Sequence, residues 1–182
     1  MPFRPTREQL EAARGKGVRD VVGPDLDVLF CGINPGLYTA AIGHHFGRPG
    51  NRFWKVLHLA GFTPRELSPF EERELLRYGC GVTNLVNVAT ARADELDDAD
   101  LVRGAARLTR AVRRWRPKAV AILGMDAYRT AFARRRTAVG PQEARIADAA
   151  VWVLPNTSGL QASYQLADLV RLFGALRAAT RR

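Results

Sequence analysis

The sequence is poor in cysteine, histidine and lysine. Two cysteines, Cys31 and Cys80, are too few for a disulfide framework or a metal cluster. Both sit in apolar runs and read as small buried hydrophobes. The adjacent pair His44 and His45 lacks carboxylate or thiolate company at ligand spacing. No metal and no cofactor is therefore expected, and phosphate or solvent contact is the reading for both rings. No apolar run is long enough to span a bilayer, which argues against a membrane partner. Residues 1–20 are charged and lack the apolar segment of a signal peptide, so a reducing cytoplasm or nucleoid is the expected compartment.

Only three of the 28 basic residues are lysines, Lys16, Lys55 and Lys118. Against 18 carboxylates this leaves a formal net charge of +10, almost all of it arginine. Such an excess suits a polyanionic partner and steers association with it. An arginine skew in an alanine-rich chain also arises from genome composition, so charge alone does not decide. What the chain has in quantity is apolar material, 47% of 182 residues, enough for one domain with a full core. With no repeat, linker or composition break, residues 1–182 read as a single domain, expected to be monomeric.

Four short apolar runs lie at 27–31, 81–86, 119–123 and 150–154. Their continuous rather than alternating apolar character fits strands buried on both faces. Helical patterns fall between or after them, at 51–61, from Ser68 onward, at 96–115, 125–135 and 166–178. Ser68, Pro69 and Glu71 form a helix-start signature, and Pro117 stops the long helix before the third run. Alternation of strand and helix predicts an α/β fold. The expectation is a three-layer α/β/α sandwich around a short, mainly parallel central sheet of about four strands. In such sheets the ligand crevice lies beyond the carboxyl ends of the strands.

The segments that follow the runs carry the chemistry. Gly32-Ile33-Asn34-Pro35-Gly36 follows the first run. Pro35 disfavours helical backbone at Asn34, which places that side chain at the crevice mouth. An asparagine there offers one acceptor and two donors, so it can hold a water without being a strong base. Asn-Pro-Gly is equally a generic turn. Leu154-Pro155-Asn156-Thr157-Ser158-Gly159-Leu160 follows the last run, where backbone N–H groups before the next helix can face an anion. Leu160 is either exposed at the loop tip or tucked under the following helix. Phe46, between polar and glycine residues, is a candidate stacking platform for a flat base. Arg48 and Arg52 are candidate phosphate contacts.

These segments, with Gly50-Asn51-Arg52-Phe53-Trp54-Lys55 and Cys80-Gly81-Val82-Thr83, resemble in sequence and order the mismatch-specific uracil/thymine DNA glycosylase family. The resemblance runs from about Asp27 to the final helix. It implies a monofunctional enzyme that flips a base out of double-stranded DNA containing mispaired or damaged bases and hydrolyses its N-glycosidic bond. By the same resemblance, Asn34 positions the hydrolytic water and Phe46 stacks on the flipped base. Gly32, Ile33, Tyr38, Thr39 and Asn84 surround that base. Asn156, Thr157, Ser158, Gly159, Leu160 and Gln161 meet the DNA, with Leu160 filling the vacated stack. The chain departs from the family pattern at Thr157, where a proline is usual. It departs again at Gln161-Ala162-Ser163, where an arginine is usual, and at Asn84, a lysine in one branch.

Cleavage of this bond needs a placed water, donors toward the departing base and negative potential near the sugar. Asn34 suits the first, and backbone N–H groups near Ile33 and at Tyr38 and Thr39, or the Asn84 amide, suit the second. No lysine is placed as a Schiff-base nucleophile. Asp94 either assists the water or is part of an acidic helix start. The competing readings are a DNA-damage-binding module without turnover and an enzyme acting on free nucleosides. The net charge and the Leu160 tip disfavour the latter.

Overall fold

The computed structural model describes residues 3–181. A short helix, α1 (Arg7–Ala12), leads to the first strand, β1 (Val28–Gly32). Two more short helices, α2 (Leu37–Ile42) and α3 (Phe53–Leu59), and a 3-10 helix, Pro69–Tyr78, separate β1 from β2 (Cys80–Asn84). A 3-10 turn, Ala93–Glu95, and the long α4 (Asp98–Trp115) precede β3 (Ala119–Leu123). The chain continues through α5 (Met125–Ala131), β4 (Gly140–Ile146), β5 (Ala149–Leu154) and α6 (Leu166–Thr180).

The strands form one five-stranded sheet in the order β2-β1-β3-β5-β4. β1, β2, β3 and β5 are mutually parallel, and only β4 runs antiparallel, against β5. The four parallel strands are those expected from the apolar runs. The fifth, β4, was not among them because it alternates exposed and covered residues and contains Pro141, Glu143 and Arg145. That is the character of a protected edge strand.

Every residue of β1, β2 and β3 is buried, which requires a helical layer on each face. On one face Phe30 meets Phe53 of α3 at 5.5 Å, Phe62 at 5.4 Å and Phe173 of α6 at 5.9 Å. Phe30 has no exposed surface, so losing its ring is expected to cost about 3–5 kcal/mol. On the other face Leu29 and Cys31 pack with Leu108 and Val112 of α4 and Tyr128 of α5. Burial pushes the Cys80 thiol up to about 12 and the Cys31 thiol higher still, so neither is a nucleophile at neutral pH.

Helix starts and stops follow local chemistry. α4 opens where the Asp97 carboxylate accepts the Asp100 N–H at 2.8 Å. It closes at Arg116, whose left-handed φ of 50° precedes Pro117. Its Gly104 is required by close approach, because a Cβ there would stand 2.5 Å from the Leu85 carbonyl oxygen. In the segment after Ser68, Glu71 accepts the Ser68 N–H at 2.8 Å as its spacing suggested. The winding is 3-10, and burial of Glu72, Leu75 and partly Tyr78 follows its three-residue period. No helix of the described residues is long and apolar enough to cross a membrane.

Candidate functional site

All four parallel strands end at one crevice. A cavity of about 430 Å³ there is walled by Gly32, Ile33 and Asn34 after β1, Asn84 at the end of β2, Leu123 at the end of β3, and Asn156, Ser158, Leu160 and Gln161 after β5. Phe46, Thr39 and Asp94 also line it. The crevice straddles β1, whose neighbours β2 and β3 lie on opposite sides, so it sits where the direction of winding reverses.

Asn34 is held in one orientation. Its amide nitrogen donates to the Val88 carbonyl and to the Thr90 hydroxyl, each at 2.8 Å. The Thr90 hydroxyl must therefore turn its own proton elsewhere, and it donates to the Arg92 carbonyl at 2.7 Å. Both Asn34 N–H groups are spent on anchoring. The amide oxygen has no protein donor among the described residues and remains an acceptor.

Asn84 is fixed through His45. The His45 Nε2 faces the Arg19 carbonyl at 2.9 Å, and a carbonyl only accepts. The ring proton is thus on Nε2, and Nδ1 accepts from Asn84 Nδ2 at 3.4 Å. Burial holds the His45 ring below its ordinary value, which keeps it neutral and keeps Nδ1 an acceptor. The Asn84 amide oxygen is then turned toward Gly32, 2.6 Å from where a Gly32 Cβ would lie. A side chain at position 32 has no room.

Phe46 adopts a left-handed φ of 51°, unusual for a bulky residue and held by its surroundings. One face of its ring stacks on Phe53, with centroids 4.0 Å apart. The ring also borders the cavity. Of His44 and His45, both expected to meet phosphate or solvent, His44 keeps partial solvent contact and His45 does not. His45 is 1% exposed, and His44 is drawn to the buried Glu72, 3.0 Å from its Nδ1. Glu72 also accepts the His45 N–H at 2.8 Å, so one carboxylate inside the fold organises both residues.

The segment after β5 projects Leu160, which is 74% exposed, at the cavity rim. The open alternative, a leucine tucked under α6, does not hold. Arg52, expected at phosphate, instead reaches behind this loop. It donates to the carbonyls of Tyr164 at 2.6 Å, Gln161 at 3.0 Å and Ser158 at 3.1 Å. Thr157 is fully buried beneath the loop and donates to the Asn51 amide oxygen at 2.9 Å. It takes no place on the cavity wall, nor do Tyr38 and Gly159. Arg48 is exposed and borders the cavity. Asp94 stands at the rim, paired with the Arg92 Nε at 3.1 Å.

Sequence reading missed Glu72, Thr90 and Arg107. Arg107 of α4 binds the Asp20 carboxylate at 3.0 Å and the Asn84 carbonyl, bracing the end of β2. The three act on backbone or on other site residues, and no local spacing marks them. Glu72 alone had a signal, being an acid beside the Glu71 cap.

Comparison with known proteins identifies the family and the fold. The family matching residues 20–177 is described as the uracil DNA glycosylase superfamily. A protein of Methanosarcina acetivorans, solved in solution by NMR and named as a candidate uracil DNA glycosylase, shares the fold. Its TM-score is 0.60 at 16% identity, over 90% of this chain and 98% of that one.

Proposed function

Because the chain belongs to the uracil DNA glycosylase superfamily, we propose that it excises uracil-type bases mispaired with guanine in double-stranded DNA, leaving an abasic site. The observation that carries this reading is the anchored Asn34 amide, whose oxygen is left as an acceptor at the cavity wall. A base turned out of the duplex enters the cavity and lies against Phe46. The Asn84 amide oxygen accepts the imide N–H of uracil or thymine. Backbone N–H groups at Ile33 and Thr39, which border the cavity, face the charge that builds on the departing base. A water whose proton is held by Asn34 Oδ1 adds its oxygen to the sugar C1′. The bond from C1′ to the base nitrogen breaks, its electron pair leaving with the base. The water's second proton passes to solvent or to that base. Asn34 orients the water and does not deprotonate it. DNA phosphates stabilise the sugar cation. No lysine is needed, and the strand stays intact until alkali is added.

The experiment is an end-labelled G·U duplex treated with protein and then with alkali. The wild-type protein is expected to give an alkali-dependent break at the uracil. Asn34→Ala is expected to lower single-turnover cleavage by about 10²-fold or more while binding the same duplex, since phosphate contacts dominate affinity. Cleavage by Asn34→Ala near the wild-type rate would sink the water-positioning role. A wild-type protein that binds the duplex and never yields a break would instead be the damage-binding module.

A further inference from the structure

The net charge is not spread over the molecule. Residues 101–142 hold eleven arginines and lysines against a single carboxylate, Asp126, while the rest of the chain holds seventeen residues of each sign. An excess equal to the whole formal +10 therefore resides in residues 101–142, from α4 after its acidic first turn, through β3 and α5, to the start of β4. β3, which lies between the two helices, is buried and uncharged, so the charge is carried on one helical layer. A uniform compositional skew would have left no such segregation.

The exposed part of this layer is short of counter-charge. Arg110, Arg113 and Arg114 share a face of α4 at spacings of three and four, and Arg134, Arg135 and Arg136 follow α5. All six are exposed, and none has a carboxylate partner among the described residues. α4 and α5 pack on each other, so the two groups belong to one surface. Arg103, Arg107 and Arg129 of the same stretch are neutralised by Asp100, Asp20 and Asp126. The direction of the surface matters as much. α4 carries the chain from the carboxyl end of β2 back to the start of β3, so Arg113 and Arg114 lie at the end of the sheet remote from the crevice. α5 likewise leaves β3 at the crevice end and runs away from it.

We propose that the α4–α5 face is a second binding surface for duplex DNA, one that holds a segment distinct from the segment whose base enters the crevice. Guanidinium groups suit phosphate because their donors form a planar fork that matches two oxygens. Consecutive phosphates along a duplex supply the repeated anion that six unpaired cations on one surface require. The contact is to backbone alone and carries no sequence preference. A protein with two such faces bridges two duplexes and can pass between them without release. This surface is independent of the excision chemistry and is tested on DNA that contains no uracil.

Three proteins are compared on an undamaged duplex: the wild type, Arg110→Gln/Arg113→Gln/Arg114→Gln, and a control with the same loss of charge elsewhere, Arg7→Gln/Arg73→Gln/Arg171→Gln. A second helical-layer variant, Arg134→Gln/Arg135→Gln/Arg136→Gln, guards against misfolding of the first. Each phosphate contact contributes about 0.9 to the slope of log affinity against log salt. Both helical-layer variants are expected to lower that slope by about 2 to 3, and the control by less than about 1. In a bridging assay, wild type bound to an immobilised duplex is expected to retain a second, fluorescent duplex, and the helical-layer variants to lose it. Excision of uracil at saturating protein is expected to be unchanged in all. Equal slopes in the helical-layer variants and control, or no retention by wild type, would overturn the proposal. So would retention of an acidic polypeptide in preference to the second duplex.

Discussion

A methyl group on Gly32 would sit 2.6 Å from the Asn84 amide oxygen and 3.4 Å from the Phe46 ring. Asn84 cannot simply swing aside, because it is buried and tied to His45. Gly32→Ala is therefore expected to displace the Asn84 amide from the crevice wall. Excision from a G·U duplex should fall at least about tenfold, which is a loss of about 1.4 kcal/mol in transition-state stabilisation. Duplex binding should hardly change. Unaltered excision by this variant would remove Asn84 from the base-contacting set. His45 sets a pH limit on the same wall. The unfolded ring takes up a proton near pH 6.5, about its ordinary value, whereas the buried ring does so only at lower pH. Stability is then complete above the unfolded value and declines as pH falls toward the folded one. His45→Gln should narrow the gap between melting temperatures at pH 7.5 and pH 5. A gap as wide as in wild type would show that other groups govern the acid limb.

At the scale of elements, the loop after β5 and the start of α3 act as one unit. Arg52 ties four carbonyls of that loop, counting a longer bond to Thr157 at 3.5 Å, and Thr157 returns a bond to Asn51. Loop residues and their anchor thus separate two effects that sequence could not. Leu160→Ala removes only an exposed side chain and should leave the melting temperature within about 1 °C. It should slow excision from G·U duplexes strongly and from single-stranded uracil DNA little. Opening a duplex costs a few kcal/mol, and a leucine in the vacated stack offsets about 1.5–3 of these. Arg52→Ala should cost about 2 kcal/mol and lower the melting temperature by about 4–8 °C. Its activity should fall on single-stranded and duplex substrates alike. A leucine variant with the same uniform loss would mean that Leu160 is structural.

What was legible at this scale follows from burial. Strands covered on both faces declare themselves as apolar runs, and four such runs mark the parallel strands to within a residue or two. β4 is half solvated and polar, so its periodicity carries no comparable signal. α1 and α2 are six residues each, too short for a pattern, although α1 has a readable start in which Thr6 and Gln9 cap each other. The positions of Asn34 and Leu160 at the crevice were legible because motif and topology pointed there together. The role of Arg52 was not, since a guanidinium reads as a phosphate contact until its carbonyl partners are seen. Arg52 and Thr157 are 105 positions apart, and the sequence between them carries no trace of the pairing.

Over the whole molecule, sheet order sets the sequence of events during synthesis. β1 leaves the ribosome first among the strands, yet it is an interior strand whose neighbours are β2 and β3. The ring of Phe30 on β1 waits longer still, for Phe173 of α6. Arg52 likewise has no carbonyls to bind until the loop after β5 exists. A nascent chain halted before α6 thus has Asn34 but neither a closed core nor a fixed Leu160 tip. The arginines of α4 and α5 have emerged by then, and nothing in their exposure depends on α6. During translation the protein is first a cationic chain exposed to any nearby polyanion, and only afterwards a folded body with a finished crevice and a fixed rim.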